Sequence, residues 1–385
     1  MKRKMFILVL ILLMMPLPVK GETLDLTPKS ESAILMEVTT GEILYQKDPH
    51  KRLAPASMTK IMSMMLILED IKSGGLTWDE KIQVSANAAS FGGSQIYLEP
   101  GEIMSVEDLF KAVAIASAND ATVALAERVA GTEEEFVKQM NKKVKELGLK
   151  NTNFVNSSGL DEENHYSSAY DLAVMARELV LKYPEVLKYT SIYEDYLRQD
   201  TDEKFWLVNT NNLVRFYEGV DGIKTGHTTK SKYCLTATAK RNNLRVISVV
   251  MGIADKSYRN YETTKLLDYA FQQYEVEKTL SKGQVLKEIF VAKAKKTTVK
   301  AVLEDDLYIL NQKGKPKRNV TYKLEIDKIT VPLKAGARIG TLNVIDNNKV
   351  LLSVPVITLE KIEKANIWDL FNRYLVEMLT GKIPS

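Results

Sequence analysis

The sequence predicts a mixed α/β domain with an antiparallel sheet flanked by helices, then a small all-β domain and a terminal amphipathic helix. In the first part, long apolar runs such as 61–68 favour buried helices, and the neighbouring segments 233–239 and 244–251 have strand character. From residue 276 the apolar runs become short and β-like, and turn signals separate them. We therefore expect domains at about 24–275 and 276–358, followed by an amphipathic segment at 361–385.

The N-terminus has the features of a secretory signal peptide. Residues 2–4 are basic, residues 5–15 are uncharged and apolar, and the small-residue site Val19-Lys20-Gly21 follows. This order predicts a signal peptide at 1–21 that is removed on export. An uncleaved anchor is the alternative, although the apolar run is short for a membrane span.

Charge is unevenly distributed along the expected mature chain. Residues 22–275 carry 29 basic and 37 acidic side chains, whereas residues 276–385 carry 20 basic and 12 acidic ones. A basic C-terminal part suits an anionic membrane surface or wall polymer, and a solvated lysine-rich face is the alternative. We expect no nucleic-acid partner.

The cysteine and histidine content argues against disulfides and metal chemistry. Cys234 is the only cysteine, so an intramolecular disulfide is excluded, and its strand-like surroundings predict a buried, inert thiol. His50, His165 and His227 lie far apart, without the spacing of a zinc site. We expect neither a metal nor a cofactor.

The elements of the first domain can be placed in order. We expect a hairpin at 32–45, a helix that Ser57 opens, a loop over a site at 91–101, helices at 106–116 and 121–129, turn chemistry at 151–159, a helix from 167 through 180, the two strands, and a closing helix at 262–274.

The end of the chain predicts an amphipathic helix. From Ile362 to Leu379, apolar residues recur at helical spacing, among them Trp368 and Phe371, with basic residues around them. This pattern favours a helix that lies in a membrane interface. A helix packed on the β domain is the alternative.

The segment Pro55-Ala56-Ser57-Met58-Thr59-Lys60 offers a nucleophile and a base. A spacing of three residues brings Ser57 and Lys60 onto one helical face, so the amine can take the hydroxyl proton. The helix N-terminus adds N–H donors that favour developing negative charge. Taken alone, the pair is better explained by a capping serine and a surface lysine.

Two further segments have polar residues at notable places. Ser117-Ala118-Asn119-Asp120 forms a short polar break between two apolar helices, and Asn119 or Asp120 could cap the second helix. Lys224-Thr225-Gly226 precedes the two strands and would lie on the first strand of a meander.

Together the three motifs Ser57-x-x-Lys60, Ser117-x-Asn119 and Lys224-Thr225-Gly226 form the signature of β-lactamases and penicillin-binding proteins. Most of the mature chain resembles the low-molecular-weight penicillin-binding proteins, which are serine-type D-alanyl-D-alanine carboxypeptidases. The resemblance extends to the segments 156–160, 165–171, 209–211, 219–228 and 265–267. It implies a β-lactamase/transpeptidase-like catalytic domain. Ala118 departs from the pattern, since many relatives have Gly there.

The resemblance implies the catalytic roles. Ser57 attacks the carbonyl between the last two D-alanines of a peptidoglycan stem peptide. Lys60 serves as base if it is neutral, and both burial and the like charge of Lys224 lower its pKa. Asn119 orients Lys60 and the substrate amide, while Ser117 and Lys224 relay a proton to the departing D-alanine.

The resemblance also implies the roles of the substrate-binding residues. The backbone N–H groups of Ser57 and His227 form the oxyanion hole, which gives His227 a backbone role and excludes it as a base. Gly226 leaves room for substrate along the strand edge. Three residues are candidates for binding the terminal carboxylate: Thr225, Thr228 and Arg259. For Arg259 a surface arginine is the alternative, and His165 is expected to be a structural histidine under the site.

The predicted function is therefore removal of the terminal D-Ala from stem pentapeptides through an acyl-enzyme, with penicillins acylating Ser57. The enzyme would be exported and peripherally anchored on the outer face of the cytoplasmic membrane. A β-lactamase is one alternative, but it needs a deacylating carboxylate, and the acidic residues at 161–163 are more typical of a solvated turn. A non-catalytic penicillin-sensing or wall-binding protein is the other.

Overall fold

A computed structural model describes residues 24–381 of the chain. The predicted signal peptide at 1–21 lies outside these residues, as does the end of the predicted amphipathic segment, residues 382–385.

The first part of the described chain contains nine strands and nine α-helices. The strands are β1 (Ser32–Glu37), β2 (Ile43–Lys47), β3 (Lys81–Gln83), β4 (Ile103–Ser105), β5 (Glu194–Leu197), β6 (Phe205–Val208), β7 (Val220–Thr228), β8 (Lys232–Arg241) and β9 (Leu244–Ile253). The helices are α1 (Lys60–Ser73), α2 (Ala86–Ala89), α3 (Val106–Lys111), α4 (Asn119–Ala130), α5 (Glu133–Glu146), α6 (Ala169–Lys182), α7 (Val186–Thr190), α8 (Leu213–Phe216) and α9 (Lys256–Gln273).

A five-stranded sheet separates two helical layers. Its strand order is β2-β1-β9-β8-β7, and every pair is antiparallel, so the predicted antiparallel sheet is confirmed. Because successive strand residues point to opposite faces, Ile34 packs in the core formed with α1 and Leu35 in the core formed with α9. Strand β7 lies at the edge of the sheet, which leaves one side of it open.

Helix α1 lies in the centre of the larger layer. Residues 60–68 are apolar apart from Lys60 and Ser63, and all of them are buried. The helix ends at Gly74, whose φ of 84° is the left-handed conformation that glycine adopts readily. The reactive end of α1 is thus held by a core that surrounds it.

The polar break between the two apolar helices differs from the prediction. Helix α3 continues as a π-turn at Ala112–Ala116, Ser117 is left-handed with φ 66°, and α4 begins at Asn119. The N-cap of α4 is Ala118, without a side-chain capping bond, so the prediction that Asn119 or Asp120 caps this helix is wrong.

The second part of the described chain is an all-β domain. Its strands are β10 (Tyr274–Leu280), β11 (Val285–Phe290), β12 (Thr298–Leu303), β13 (Leu307–Gln312), β14 (Thr321–Ile326), β15 (Arg338–Asp346) and β16 (Lys349–Thr358). They form the sheets β10-β13 and β11-β12-β16-β15-β14 around their own apolar core. The two domains are joined directly where α9 ends and β10 begins, and Arg318 forms an ion pair of 2.7 Å with Glu42 across them.

The terminal helix is α10 (Ile367–Thr380), which begins five residues after the predicted Ile362. Ile362 instead exchanges backbone hydrogen bonds with Leu333 of the β domain, so the chain enters the helix only at the cap Asn366. None of the helices between residues 24 and 381 combines the length and hydropathy needed to cross a bilayer.

Candidate active site

The candidate nucleophile, Ser57, lies in a 3-10 turn at Ala56–Thr59 that leads directly into α1. We call this segment the nucleophile turn. Pro55 precedes this turn, and Ala56 has a φ of 47°, which is unusual for alanine. Ser57 is partly exposed, whereas the turn residues on either side of it are buried. The serine hydroxyl is therefore accessible on a turn that the core holds fixed.

Three oxygen atoms surround the Lys60 amine. Lys60 Nζ lies 3.2 Å from Ser57 Oγ, 2.6 Å from Asn119 Oδ1 and 2.7 Å from the Ser158 carbonyl oxygen. The structure thus brings the first motif and the asparagine of the second motif together, as predicted. Ser158 was not predicted to take part.

The surroundings of Lys60 favour its neutral form. Burial lowers the pKa of Lys60 well below its ordinary value, and the positive charge of Lys224 lowers it further, while Asp120 opposes the shift. A neutral amine has two N–H donors and one lone pair. Since Asn119 Oδ1 and the Ser158 carbonyl only accept, they take the two donors, and the lone pair is left for the hydroxyl proton of Ser57.

Asn119 is held in place by the loop that precedes β4. Its Nδ2 donates to the Gly92 carbonyl at 2.7 Å, and its backbone N–H donates to the Ser94 carbonyl at 2.6 Å. The neighbouring Asp120 is fully buried and accepts backbone N–H groups of Ile96 and Leu98. The predicted loop over the site is therefore tied to the start of α4 by two adjacent side chains.

Ser117 lies two residues before Asn119, at the left-handed break between the π-turn and α4. Its side chain is buried, and within residues 24–381 its hydroxyl has no hydrogen-bond partner. The structure therefore leaves the Ser117 hydroxyl free to bond to a substrate.

Lys224 is the second buried amine of the site. It lies on β7 between Gly222 and Gly226, on the strand face that meets the nucleophile turn. Burial lowers the pKa of Lys224 to about 7, and the charge of Arg259 contributes to the shift. Among residues 24–381, Lys224 Nζ is one of three buried side-chain N or O atoms without a hydrogen-bond partner.

Arg259 lies in the first turns of α9 and is only 3% exposed, so the interpretation as a surface arginine is wrong. Its Nε and Nη2 donate to Asn260 Oδ1 at 3.0 and 2.8 Å. No acidic side chain of the described chain forms an ion pair with it. Lys60, Lys224 and Arg259 thus place three basic groups in one buried region.

The two threonines of β7 are engaged differently. Thr225 Oγ1 donates to Thr210 Oγ1 at 2.8 Å, and Thr228 Oγ1 donates to Asp161 Oδ1 at 2.8 Å. Both hydroxyls therefore have protein partners at the open edge of the sheet. His227 lies between them, exposed and stacked on Tyr233 with ring centroids 4.1 Å apart.

Comparison with known families agrees with this geometry. Residues 20–255 match the Peptidase S11 family, described as D-alanyl-D-alanine carboxypeptidase. The chain belongs to this family. Residues 274–364 of this S11 family member match the C-terminal domain of penicillin-binding protein 5.

Individual relatives of this S11 family member cover nearly its whole length. D-alanyl-D-alanine carboxypeptidase DacF of Bacillus subtilis is 49% identical over 352 residues, which are 91% of this chain and 90% of the relative. D-alanyl-D-alanine carboxypeptidase DacA of Escherichia coli is 31% identical over 354 residues, 90% of this chain and 87% of the relative.

Solved structures resemble it as well. Penicillin-binding protein 5 from Haemophilus influenzae is 34% identical with a TM-score of 0.69, covering 89% of this chain and 100% of that chain. Penicillin-binding protein D2 from Listeria monocytogenes in its ampicillin-bound form is 34% identical with a TM-score of 0.58, covering 64% of this chain and 100% of that chain. The predicted fold class is thereby confirmed.

The structural reason for Gly226 in this S11 family member differs from the predicted one. A Cβ atom at Gly226 would lie 2.7 Å from the Pro55 carbonyl oxygen and 3.2 Å from the Ala56 Cβ. The absent side chain therefore makes room for the turn that carries Ser57, while the expectation that it also makes room for substrate stays a prediction. Gly159 has the same function on another side, because a Cβ there would lie 1.9 Å from the Ala56 carbonyl oxygen.

The histidine under the site is structural, as expected. His165 Nε2 lies 2.8 Å from Thr59 Oγ1, and its Nδ1 accepts the backbone N–H of Val155 at 3.0 Å. Burial lowers the pKa of His165 to about 4, so the ring is neutral near pH 7. Within the described chain, no group of three His, Cys, Asp or Glu side chains is arranged to hold a metal ion.

Several participants were missed by reasoning on the sequence. The carbonyls of Gly92 and Ser158 contact Asn119 and Lys60 through backbone atoms, so residue type carries no signal for them. The turn residues at 91–94 and 156–160 did mark both segments as loops. Only the fold brings the two loops to the ends of α1 and α4.

Proposed function

We propose that this chain is a serine D-alanyl-D-alanine carboxypeptidase that removes the terminal D-Ala from peptidoglycan stem pentapeptides. The observation that carries the proposal is the buried Lys60 amine, which lies 3.2 Å from Ser57 Oγ while it donates to Asn119 Oδ1 and the Ser158 carbonyl oxygen. Membership of the S11 family supports the same activity.

Acylation begins with a proton transfer. Lys60 takes the hydroxyl proton of Ser57 as Oγ bonds to the carbonyl carbon of the penultimate D-Ala. Negative charge then develops on the carbonyl oxygen, and the backbone N–H groups of Ser57 and His227 are the proposed donors that stabilise it, an effect of about 3 kcal/mol per donor in comparable sites. Asn119 Nδ2 and Oδ1 keep Lys60 and the substrate amide in position.

Departure of D-alanine needs a proton at its nitrogen. Ser117 and Lys224 are the proposed relay, because Lys224 with a pKa of about 7 exists in both protonation states near neutral pH. The C–N bond breaks as the nitrogen receives the proton, and the acyl group stays on Ser57 Oγ. Water then attacks the ester, which releases the shortened peptide and restores the hydroxyl.

The free carboxylate at the end of the substrate explains the excess of positive charge. Lys224 and Arg259 are buried without acidic partners among residues 24–381, an arrangement that costs free energy unless an anion balances it. Thr225 and Thr228 lie on the same strand, and their hydroxyls would exchange their bonds to Thr210 and Asp161 for bonds to the substrate carboxylate. A peptide carboxylate beside these groups satisfies them, which favours a carboxypeptidase over an endopeptidase.

The open edge of β7 is the proposed docking place of the stem peptide. An extended peptide can add to such an edge through backbone hydrogen bonds. Its scissile carbonyl then lies next to the nucleophile turn, since Gly226 contacts that turn.

β-Lactams are proposed as acylating inhibitors. Penicillin-binding protein D2 from Listeria monocytogenes, which resembles this chain, has been solved in ampicillin-bound and cefotaxime-bound forms. A strained lactam amide mimics the scissile bond, and its leaving group remains tethered after Ser57 has opened the ring. The carboxylates at 161–163 are exposed, and that of Asp161 is bonded to Thr228, so no observation favours a deacylating base of a β-lactamase.

The test is release of D-alanine from a pentapeptide ending in D-Ala-D-Ala, with Ser57→Ala as the inactive control. Mass spectrometry would follow penicillin at Ser57 in parallel. Release by the wild type alone together with a long-lived adduct is expected. An adduct without release would contradict the activity and favour a penicillin sensor, and rapid turnover of the adduct would favour a β-lactamase.

The proposed location is the outer face of the cytoplasmic membrane, reached by export and held by α10. The half-buried residues of this helix, Asp369, Leu370, Arg373 and Glu377, recur at helical spacing. Arg373 donates to the carbonyls of Ala292 and Ala294 at 2.6 and 2.9 Å. The helix is thus attached to the domain through its polar stripe.

The opposite side of α10 is apolar and exposed. Its large side chains are between 40% and 78% exposed: Ile367, Trp368, Phe371, Tyr374, Leu375, Val376, Met378 and Leu379. The β domain leaves this face largely uncovered, although the contacts of Arg373 agree with the alternative of a helix packed on that domain. An exposed apolar face with aromatic residues is typical of a helix that lies in a membrane interface.

A further inference from the structure

The Ser158 carbonyl that accepts from Lys60 belongs to a turn at 156–160 that is fixed at several points. Asn156 Oδ1 accepts the backbone N–H groups of Gly159 and Leu160 at 2.7 and 3.2 Å. Gly159 packs closely against the Ala56 carbonyl. The position of the Ser158 carbonyl therefore depends on how firmly the preceding residue, Ser157, is held.

Both backbone groups of Ser157 are held by side chains from other elements. Its carbonyl accepts Ser63 Oγ of α1 at 2.6 Å. Its N–H donates to Glu133 Oε1 at 3.0 Å, and its own Oγ donates to the same oxygen at 2.7 Å. One carboxylate oxygen thus fixes Ser157 twice, one residue before the carbonyl that contacts Lys60.

Glu133 is distinguished from its neighbours by this contact. It is the first residue of α5 and half-buried, whereas Glu134 and Glu135 are exposed and pair with Lys138 on the helix surface. Glu133 forms no ion pair with a described residue. Its contacts therefore point to the turn and not to the surface of the helix.

We propose that Glu133 is a positioning residue, which clamps Ser157 so that the Ser158 carbonyl holds one N–H of Lys60 and aims the lone pair at Ser57. The role rests on the proposed function of Lys60 as the base. It acts through hydrogen bonds, since the groups that shift Lys60 electrostatically are Lys224 and Asp120. Without the clamp the Ser158 carbonyl is held less firmly by the remaining contacts of the turn, and proton transfer slows.

The test compares penicillin acylation of the full chain in wild type, Glu133→Ala, Glu133→Gln and Glu134→Ala. The acylation rate constant of Glu133→Ala is expected to fall about tenfold, while dissociation of the non-covalent penicillin complex stays unchanged. Glu133→Gln keeps an oxygen acceptor and is expected to stay within about twofold of wild type. Glu134→Ala removes an equal charge from the same helical turn and is expected to have no effect.

If Glu133→Ala does not fold, a second variant that retains Glu133 tests the proposal. Ser157→Ala removes one of the two bonds to Glu133 and keeps the backbone N–H, so a fall of about two- to threefold is expected. Circular dichroism and thermal unfolding confirm that each variant is folded.

Four results would overturn the proposal. The acylation rate constant of Glu133→Ala could equal that of wild type, or the rate constant of Glu134→Ala could fall equally. The rate constant of Glu133→Gln could fall as far as that of Glu133→Ala, or the loss in Glu133→Ala could lie in penicillin binding alone. D-alanine release is measured separately on the wild type. A wild type that is acylated but releases no D-alanine contradicts the carboxypeptidase and leaves the comparison of acylation rates valid.

Discussion

The positive charge of Lys224 lowers the pKa of Lys60, and both side chains are at most 1% exposed. Two amines so placed disfavour a doubly protonated site. The proposed division of labour agrees with this coupling, because the Lys224 charge favours the neutral form of Lys60 that a base requires, while Lys224, with a pKa of about 7, is able to donate a proton. The charge of Lys224 thus acts on Lys60, whereas the pKa of Lys224 itself is lowered by burial and Arg259.

Replacing Lys224 with methionine should change the pH dependence of acylation. Lys60 acts as a base only when neutral, so acylation rises with pH through the pKa of Lys60. The Lys224 charge lowers that pKa, so Lys224→Met should move the acidic limb to higher pH and also reduce the maximal rate. Measuring the rate of penicillin acylation between about pH 5 and pH 9 checks both effects.

Lys230→Met is the matched control, because Lys230 is exposed and is not among the groups that shift the pKa of Lys60. Its profile should coincide with that of wild type. An acidic limb that stays in place or moves to lower pH in Lys224→Met would contradict the coupling.

Protonation of His165 should destabilise the fold in acid. The folded-state pKa of about 4 lies below the ordinary value of 6.5, so the unfolded chain binds more protons between these two values. Stability should therefore be fully present above about pH 6.5 and fall as the pH drops towards 4, by up to about 3 kcal/mol from this residue. Urea unfolding of wild type and His165→Asn at pH 7 and pH 4.5 measures the difference.

The asparagine variant keeps a donor and an acceptor beside Thr59 and Val155 but does not titrate. Its free energy of unfolding should depend less on pH than that of wild type. Equal pH dependence of the two proteins would show that His165 is not the group responsible.

The sheet and the long helices could be predicted because their patterns are local and strong. The strands at 233–239 and 244–251 are apolar over many residues, and the apolar run at 61–68 is long enough to identify a buried helix. In the β domain, β12 and β15 are hard to identify from sequence, since polar residues and Gly340 interrupt their apolar pattern. Packing against neighbouring strands decides their structure.

The site could be predicted where the residue type itself indicates the chemistry. It could not be predicted where tertiary contacts decide which role a residue has. Spacing along a helix is enough to place Lys60 beside Ser57. Asn119 looked like a helix cap, but its amide bonds to Lys60 and Gly92, because the fold brings better partners than its own backbone. Glu133 is one of three adjacent glutamates, and only the fold shows which of them bonds to Ser157 in the turn at 156–160.

Substitution of Gly226 with alanine should slow acylation by displacing the nucleophile turn. The added Cβ would lie 2.7 Å from the Pro55 carbonyl, which is backbone and cannot move without shifting Ser57. We expect a loss of about 1–3 kcal/mol in stability and at least a tenfold lower acylation rate. Thermal unfolding and penicillin acylation measure the two effects.

Gly92→Ala is the control, because a Cβ at Gly92 meets no atom within 4 Å. Its acylation rate should remain close to that of wild type. A Gly226→Ala variant with normal acylation and reduced binding of the peptide substrate would instead support the interpretation that the glycine makes room for substrate.

The exposed apolar face of α10 should be required for membrane binding and dispensable for catalysis. The double variant Phe371→Ser/Leu375→Ser removes two apolar side chains from the centre of this face and leaves Arg373, which attaches the helix to the β domain. Binding to phospholipid vesicles should fall at least tenfold, since each large apolar side chain contributes about 1.5–3 kcal/mol when buried. D-alanine release from a soluble pentapeptide should be unchanged, because the helix contacts the β domain and not the active site.

Tyr322→Ser/Val350→Ser removes exposed apolar side chains from the β domain itself and should bind vesicles like wild type. Equal losses in both double variants would point to general surface hydrophobicity, and undiminished binding of the helix variant would exclude α10 as the anchor.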